Sequence, residues 1–255
     1  FLETNEWDKF FNHTNNVIIA SNQVTFRDRR FHKFLLRYKP KYLEIYDAEN
    51  RPDHPPGIGQ DRIDYIVLDT ILPKIGTKVY IKGINRGHDG LTAIGQSDVI
   101  NRVQAVNVKN NTAAGTTSDQ TLKESILWAK RQFNVPIIAS GGIGTKKDIE
   151  FALNLGADSV LIGTLFAAAE ESNLSAEAKE MLLYKNSNDI AFHKQNNSNL
   201  LVKENITDGD DFNYSKNLMH TVRDGNNGIL YAGKAIDHVS AIKPVKDIVA
   251  ELLGI

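Results

Sequence analysis

Val135 to Glu171 read VPIIASGGIGTKKDIEFALNLGADSVLIGTLFAAAEE, and this stretch decides the fold. It divides into a strand, a Gly-Gly turn, an amphipathic helix, a second strand and a closing Gly163-Thr164 pair. A buried strand that ends in glycines just before a helix leaves backbone N–H groups uncovered, and the helix dipole stands behind them. Such a place suits a phosphate. Two turns of this kind on adjacent parallel strands form the usual phosphate grip of a (β/α)₈ barrel. The candidate binding residues are therefore Ser140, Gly141, Gly142, Gly163 and Thr164. Glycine after a strand also serves tight turns that hold no ligand, so it is the pairing of the two turns that points to an enzyme of the barrel class.

Working outward, strands alternate with helices, the pattern of a parallel sheet with crossover helices. Asn16–Ala20, Lys41–Tyr46, Lys78–Ile81 and Val103–Val108 read as strands upstream. Thr25 opens a Thr-x-x-Asp capping box for a helix bearing Phe31, Phe34, Leu35 and Tyr38. A helix is expected over Ile63–Ile75. Another begins at Thr121 with Glu124 three residues on, and buries Leu122, Ile126, Ala129 and Phe133. Thr145 and Asp148 cap the helix of Ile149, Ala152, Leu153 and Leu155, and Ser175 caps the next. The final helix has Pro244 in its first turn and Val245, Ile248, Val249 and Leu252 on one face. Residues 184–217 are polar, without sustained period, and read as an insertion over the barrel mouth.

That makes six strands. The expectation is one α/β domain over residues 1–255, a TIM-type (β/α)₈ barrel whose other two strands would precede Asn16. The chain opens on Phe1, which is consistent with processing or with a fragment.

At 255 residues the chain is long enough for a substantial core. Lys+Arg 30 against Asp+Glu 31 leaves a net charge of -1. That balance offers no reason to expect nucleic acid or an anionic membrane as a partner. Mean hydropathy is -0.32, and no apolar run reaches the roughly 18 residues of a membrane span. With no cysteine, disulfides, thiolate metal sites and a cysteine nucleophile are excluded, and a cytoplasmic location is expected. The seven histidines show no shared ligand spacing, so no metal site is expected. His88-Asp89 lies at a strand end, where barrel catalysts cluster. Its setting, GINRGHDG, is also an ordinary polar loop. Asp47 and Glu49, and the run Arg27 to Arg30, read as solvated charge.

The strand and turn VPIIASGGI, the unit ALNLGADSVLIGTLF, the run Glu170 to Ser172 and the tail GILYAGKAIDHVSAIKPVKDIVAELL resemble the nitronate monooxygenase family, formerly 2-nitropropane dioxygenase. The flavin-dependent enoyl-acyl-carrier-protein reductase II is a relative with much of the same pattern. The resemblance covers roughly the second half of the chain. It implies a barrel that binds FMN and oxidises a small-molecule substrate, an alkyl nitronate, with O₂. Ser140, Gly141 and Gly142 would offer N–H groups to the FMN phosphate, and Gly163-Thr164 would close around it.

The departures are as specific. The family carries a flavin-contacting Gln and then an acidic-Ala-Gly-Gly-His run whose His is the base. Ungapped alignment on VNV places Lys109 at the Gln and Thr112 to Thr116 across the run, with Thr116 at the His. Threonine takes up no proton near pH 7. The family's Gly-Gln in the closing segment reads Gly233-Lys234. The catalytic residues are therefore unassigned. Two alternatives stand beside the nitronate reading: a non-catalytic barrel that keeps the phosphate grip, and a flavin-dependent enoyl reductase.

Overall fold

A computed structural model describes residues 6–14, 18–22, 28–46, 71–84, 103–193, 198–202 and 229–255. Six strands form the main sheet: β1 (Ile18–Asn22), β2 (Tyr42–Tyr46), β3 (Lys78–Ile84), β4 (Val103–Lys109), β6 (Ile137–Ser140) and β7 (Ser159–Leu161). Their order is β1-β2-β3-β4-β6-β7. Neighbours in space follow neighbours in the chain without reversal, which is barrel-type winding rather than the doubly wound kind. The fold is α/β of the TIM-barrel type, with six parallel strands among the described residues. The chain divides into two compact units, residues 1–107 with 132–136, and residues 108–131 with 137–255.

In the first unit, β2 pairs in parallel with β1 and with β3, and Leu43, Ile45, Val79 and Ile81 are buried. These strands alternate, with Tyr42, Glu44, Tyr80 and Lys82 part-exposed on the opposite face. Helix α1 (Glu6–His13) was not foreseen in the sequence. Trp7 meets Phe34 edge-on at 5.1 Å, and Phe11 stacks on Tyr38 at 4.9 Å. Those partners belong to α2 (Arg29–Tyr38), so Trp7 and Phe11 join α1 to α2 through an aromatic cluster. The N-cap of α2 is Asp28, which accepts from Arg30 N at 2.8 Å. The box expected at Thr25 falls outside the described residues. So do Asp47, Glu49, His88, Asp89 and most of the helix expected over 63–75, of which α3 (Leu72–Ile75) is described.

In the second unit, β6 and β7 pair in parallel, and α4 (Leu122–Gln132), α5 (Lys146–Asn154), α6 (Thr164–Ala167), α7 (Ala176–Tyr184) and α8 (Val245–Leu253) surround them in sequence. The expected caps form. Thr121 and Glu124 exchange bonds in a capping box, Thr145 and Asp148 do the same, and Ser175 accepts from Ala178 N. The helix faces are narrower than their periodicity implied: Leu153 on α5 and Val249 on α8 are exposed. Ile248 and Leu252 pack with Leu165, Leu182, Leu201 and Ile236 in one apolar cluster.

A second sheet comprises β5 (Gly115–Thr116), β8 (Ile190–His193), β9 (Ser198–Val202) and β10 (Ile229–Leu230), with β9 antiparallel to the other three. Part of the aperiodic stretch 184–217 is thus strand. Phe192 is half exposed while Leu200 and Leu201 are both buried, so neither strand shows clean alternation. Among the described residues no helix is long and apolar enough to cross a membrane.

Candidate phosphate and flavin site

The site builds from the end of β6. Ile137 N donates to Asp158 Oδ2 at 2.8 Å, and Asp158 N donates to Ile137 O at 2.8 Å, which fixes the start of β6 against that of β7. Ser140 is buried, and its hydroxyl donates to Val108 O at 2.9 Å. The Ser140 side chain is therefore a strut for β6. Gly141 and Gly142 follow with φ of 112° and 69°, left-handed backbone that a side chain would strain. Asp148 Oδ2 accepts from Gly144 N at 3.1 Å, from Thr145 N at 2.9 Å and from Thr145 Oγ1 at 2.7 Å. Its carboxylate thus closes the entrance of α5. In the turn itself, one step upstream, the N–H groups of Gly141, Gly142 and Ile143 have no partner among the described residues.

The second turn is more open. Gly163 is the N-cap of α6 with no side-chain cap, it is exposed, and a Cβ built on it meets nothing within 4 Å. The Gly163 and Thr164 N–H groups also lack a partner among the described residues. The buried Thr164 faces inward, its Oγ1 accepting from Gly233 N at 3.2 Å. Two sets of uncommitted N–H groups, on the ends of neighbouring strands, fit the dianionic phosphate of a nucleotide cofactor.

Beside them runs the loop 110–114, which carries the first part of the segment Thr112 to Thr116 where the resemblance had placed the acidic-to-His run. Every carbonyl in it accepts a hydrogen bond. Thr117 Oγ1 donates to Asn110 O, and Asn199 Nδ2 donates to Asn111 O and Ala113 O, each at 2.9 Å. Lys234 N donates to Thr112 O at 3.0 Å, and Lys109 Nζ donates to Ala114 O at 2.6 Å. Lys109 is thus a buried clamp, 8% exposed, rather than a solvated lysine. Its own carbonyl accepts from Ser118 Oγ and Ser125 Oγ. Thr116 lies in β5, paired with Ser198. Lys234 is exposed, and its Cβ lies 3.9 Å from where a Cβ on Gly142 would stand. Gly233 sits so close to the loop that its Cβ would come within 2.5 Å of Thr112 O and 2.9 Å of Ala114 N.

The structure therefore gathers Lys109, the 110–116 loop, Gly141-Gly142, Thr164 and Gly233-Lys234 within the second unit. Asn110 and Asn199, which hold the loop, went unnoticed in the sequence. The available signal was a run of Asn and Thr directly after a strand, the composition of side chains that bond backbone. No group of three or more His, Cys, Asp or Glu among the described residues could hold a metal ion. A cavity of about 240 Å³ is lined by Gly144, Thr145, Lys146, Leu165, His238 and Lys243 among others. Lys243 there is paired with Glu251 at 2.6 Å.

The family model of nitronate monooxygenase matches residues 85–254, about two thirds of the chain and all of the site. This chain belongs to the nitronate monooxygenase family. Among solved structures, FabK from Thermotoga maritima superposes with a TM-score of 0.75 at 20% identity, over 94% of this chain and 75% of that one. A nitroalkane oxidase from Streptomyces ansochromogenes gives 0.60 at 18% identity, over 89% and 67%. At such identities the likeness shows the fold. The GMP reductase of Clostridium acetobutylicum is 43% identical over 61 residues, 24% of this chain. The match spans 19% of that relative's length. Family membership supports an oxidoreductase of the flavin-dependent kind.

Proposed function

We propose that this chain is an FMN-dependent oxidoreductase that oxidises alkyl nitronates with O₂. The observation behind the reading is the pair of uncommitted N–H sets at Gly141–Ile143 and Gly163–Thr164, inside the family segment. These groups would hold the FMN phosphate, with the exposed Lys234 ammonium on its flexible stem within reach of the same anion. Bound FMN would supply an electron acceptor that oxygen can reoxidise.

The chain's own residues narrow the substrate. Thr116 stands at the family's His position in the ungapped alignment and offers no base. A nitronate is already a deprotonated carbon acid, so its oxidation asks for no proton abstraction, whereas a neutral nitroalkane does.

The first test is the visible spectrum of the purified chain, as isolated and after incubation with FMN and desalting. Bound-flavin bands near about 370 and 450 nm are expected, followed by oxygen uptake with an alkyl nitronate and little with the parent nitroalkane. Consumption of reduced nicotinamide with an enoyl thioester, without nitronate turnover, would move the activity to the enoyl reductase class. A colourless protein that releases all added FMN would leave a barrel without flavin chemistry.

A further inference from the structure

We infer that Asn110 is a positioning residue that aims the Gly142 N–H at the ligand's phosphate, a role that rests on the phosphate reading above. Asn110 is 1% exposed, and its side chain joins two loops. Nδ2 donates to Gly141 O at 3.0 Å, while Oδ1 accepts from Thr112 N at 2.8 Å and from Thr112 Oγ1 at 2.7 Å. The orientation of the amide is not arbitrary. A backbone N–H can only donate, so Thr112 N must face the oxygen, and the NH₂ is left for the Gly141 carbonyl.

In a trans peptide the carbonyl and the following N–H point in opposite directions, and no cis peptide occurs among the described residues. Holding Gly141 O toward Asn110 therefore turns the Gly142 N–H to the other side of the turn. Two consecutive glycines resist rotation of that peptide plane less than any other pair of residues. A rotated plane would present a carbonyl oxygen to the anion in place of a donor, exchanging attraction for repulsion. Asn110 thus supplies the restraint that glycine lacks. The contact spans 31 residues of sequence and involves neither an ionisable group nor a ligand atom.

The test compares the parent chain of 255 residues with Asn110→Asp and Asn110→Leu. Aspartate is isosteric and keeps the acceptor for Thr112, yet loses the donor to Gly141 O. Leucine loses both and adds no charge. Affinities for FMN and for riboflavin, which lacks the phosphate, are read from flavin fluorescence. FMN affinity is expected to fall about tenfold or more in both variants, with riboflavin held within about twofold. The ³¹P resonance of bound FMN should shift as well. In flavin-free protein, the Gly142 amide cross-peak should be single in the parent and broadened or doubled in Asn110→Asp.

Unchanged FMN affinity in the folded variants would overturn the assignment. So would parallel losses for FMN and riboflavin, which mark a merely structural role, or a loss confined to the aspartate, which marks simple repulsion. A parent that binds neither flavin would defeat the phosphate reading instead. The Gly142 cross-peak would then decide by itself whether Asn110 sets the peptide plane.

Discussion

At the scale of single residues, the two glycine turns differ in what a side chain would report. A substitution at Gly142 meets Thr112 Oγ1 and a positive φ whether or not a ligand ever binds there. Loss of binding in such a variant would say little. Gly163 has an unstrained φ of -114° and open space ahead of it, so a large side chain disturbs only what occupies that space. Gly163→Phe is expected to keep the parental Tm within about a degree or two, in line with exposed substitutions that touch nothing. It should lose most of its FMN affinity. Thermal unfolding and an FMN titration on one preparation check both halves, and retained affinity would remove Gly163 from the grip. The sequence pointed to these glycines because strand-turn-helix spacing is a local signal. It did not reveal Asn110, whose importance comes from a partner carbonyl 31 positions away. Nor did it separate a solvated from a buried Lys109, because the carbonyl that receives its ammonium belongs to a loop whose path no periodicity encodes.

At the scale of elements, the legible features were those completed within one turn. Thr121, Thr145 and Ser175 each cap a helix whose first N–H groups lie three residues on, and all three formed as read. The box at Thr145 has an added consequence, since Asp148 also restrains Gly144 N next to the Gly-Gly turn. Thr145→Ala is expected to cost about 1 kcal/mol of stability, the usual worth of a lost N-cap. Faster amide exchange at Gly144 and Thr145 should accompany it, measured by NMR. An unchanged Tm would mean that Asp148 alone holds the entrance of α5. The second sheet was illegible for the opposite reason. Its strands join residues 115–116, 190–193, 198–202 and 229–230, and their stability comes from cross-strand pairing that composition does not betray.

At the scale of the whole molecule, near-zero net charge hides carboxylates that fold into specific bonds. Asp237 is held below the usual carboxylate range by the Ser187 hydroxyl and by the Ser187 N–H at 2.7 Å. Asp189 is lowered by the Asn186 N–H, with Lys185 adding a smaller attraction. Both folded pKa values lie below the unfolded ones. Their contribution is therefore complete above the ordinary carboxylate range and lost as pH falls through the lowered values. Thermal stability should decline below about pH 4. Asp237→Asn should lower Tm at neutral pH while flattening the decline in acid. A variant that unfolds with the parent's full acid dependence would show that other carboxylates govern it.

The contact between Gly233 and the Thr112 carbonyl leaves no room for a methyl group, and the Lys234 N–H locks the two segments together. Their shapes are interdependent although most of the site's sequence lies between them. A loop of another length grafted over residues 110–116 would thus push against the closing segment rather than fill free space. A transplant that succeeds must bring both pieces from the same donor, so the loop and the Gly-Lys pair behave as one unit.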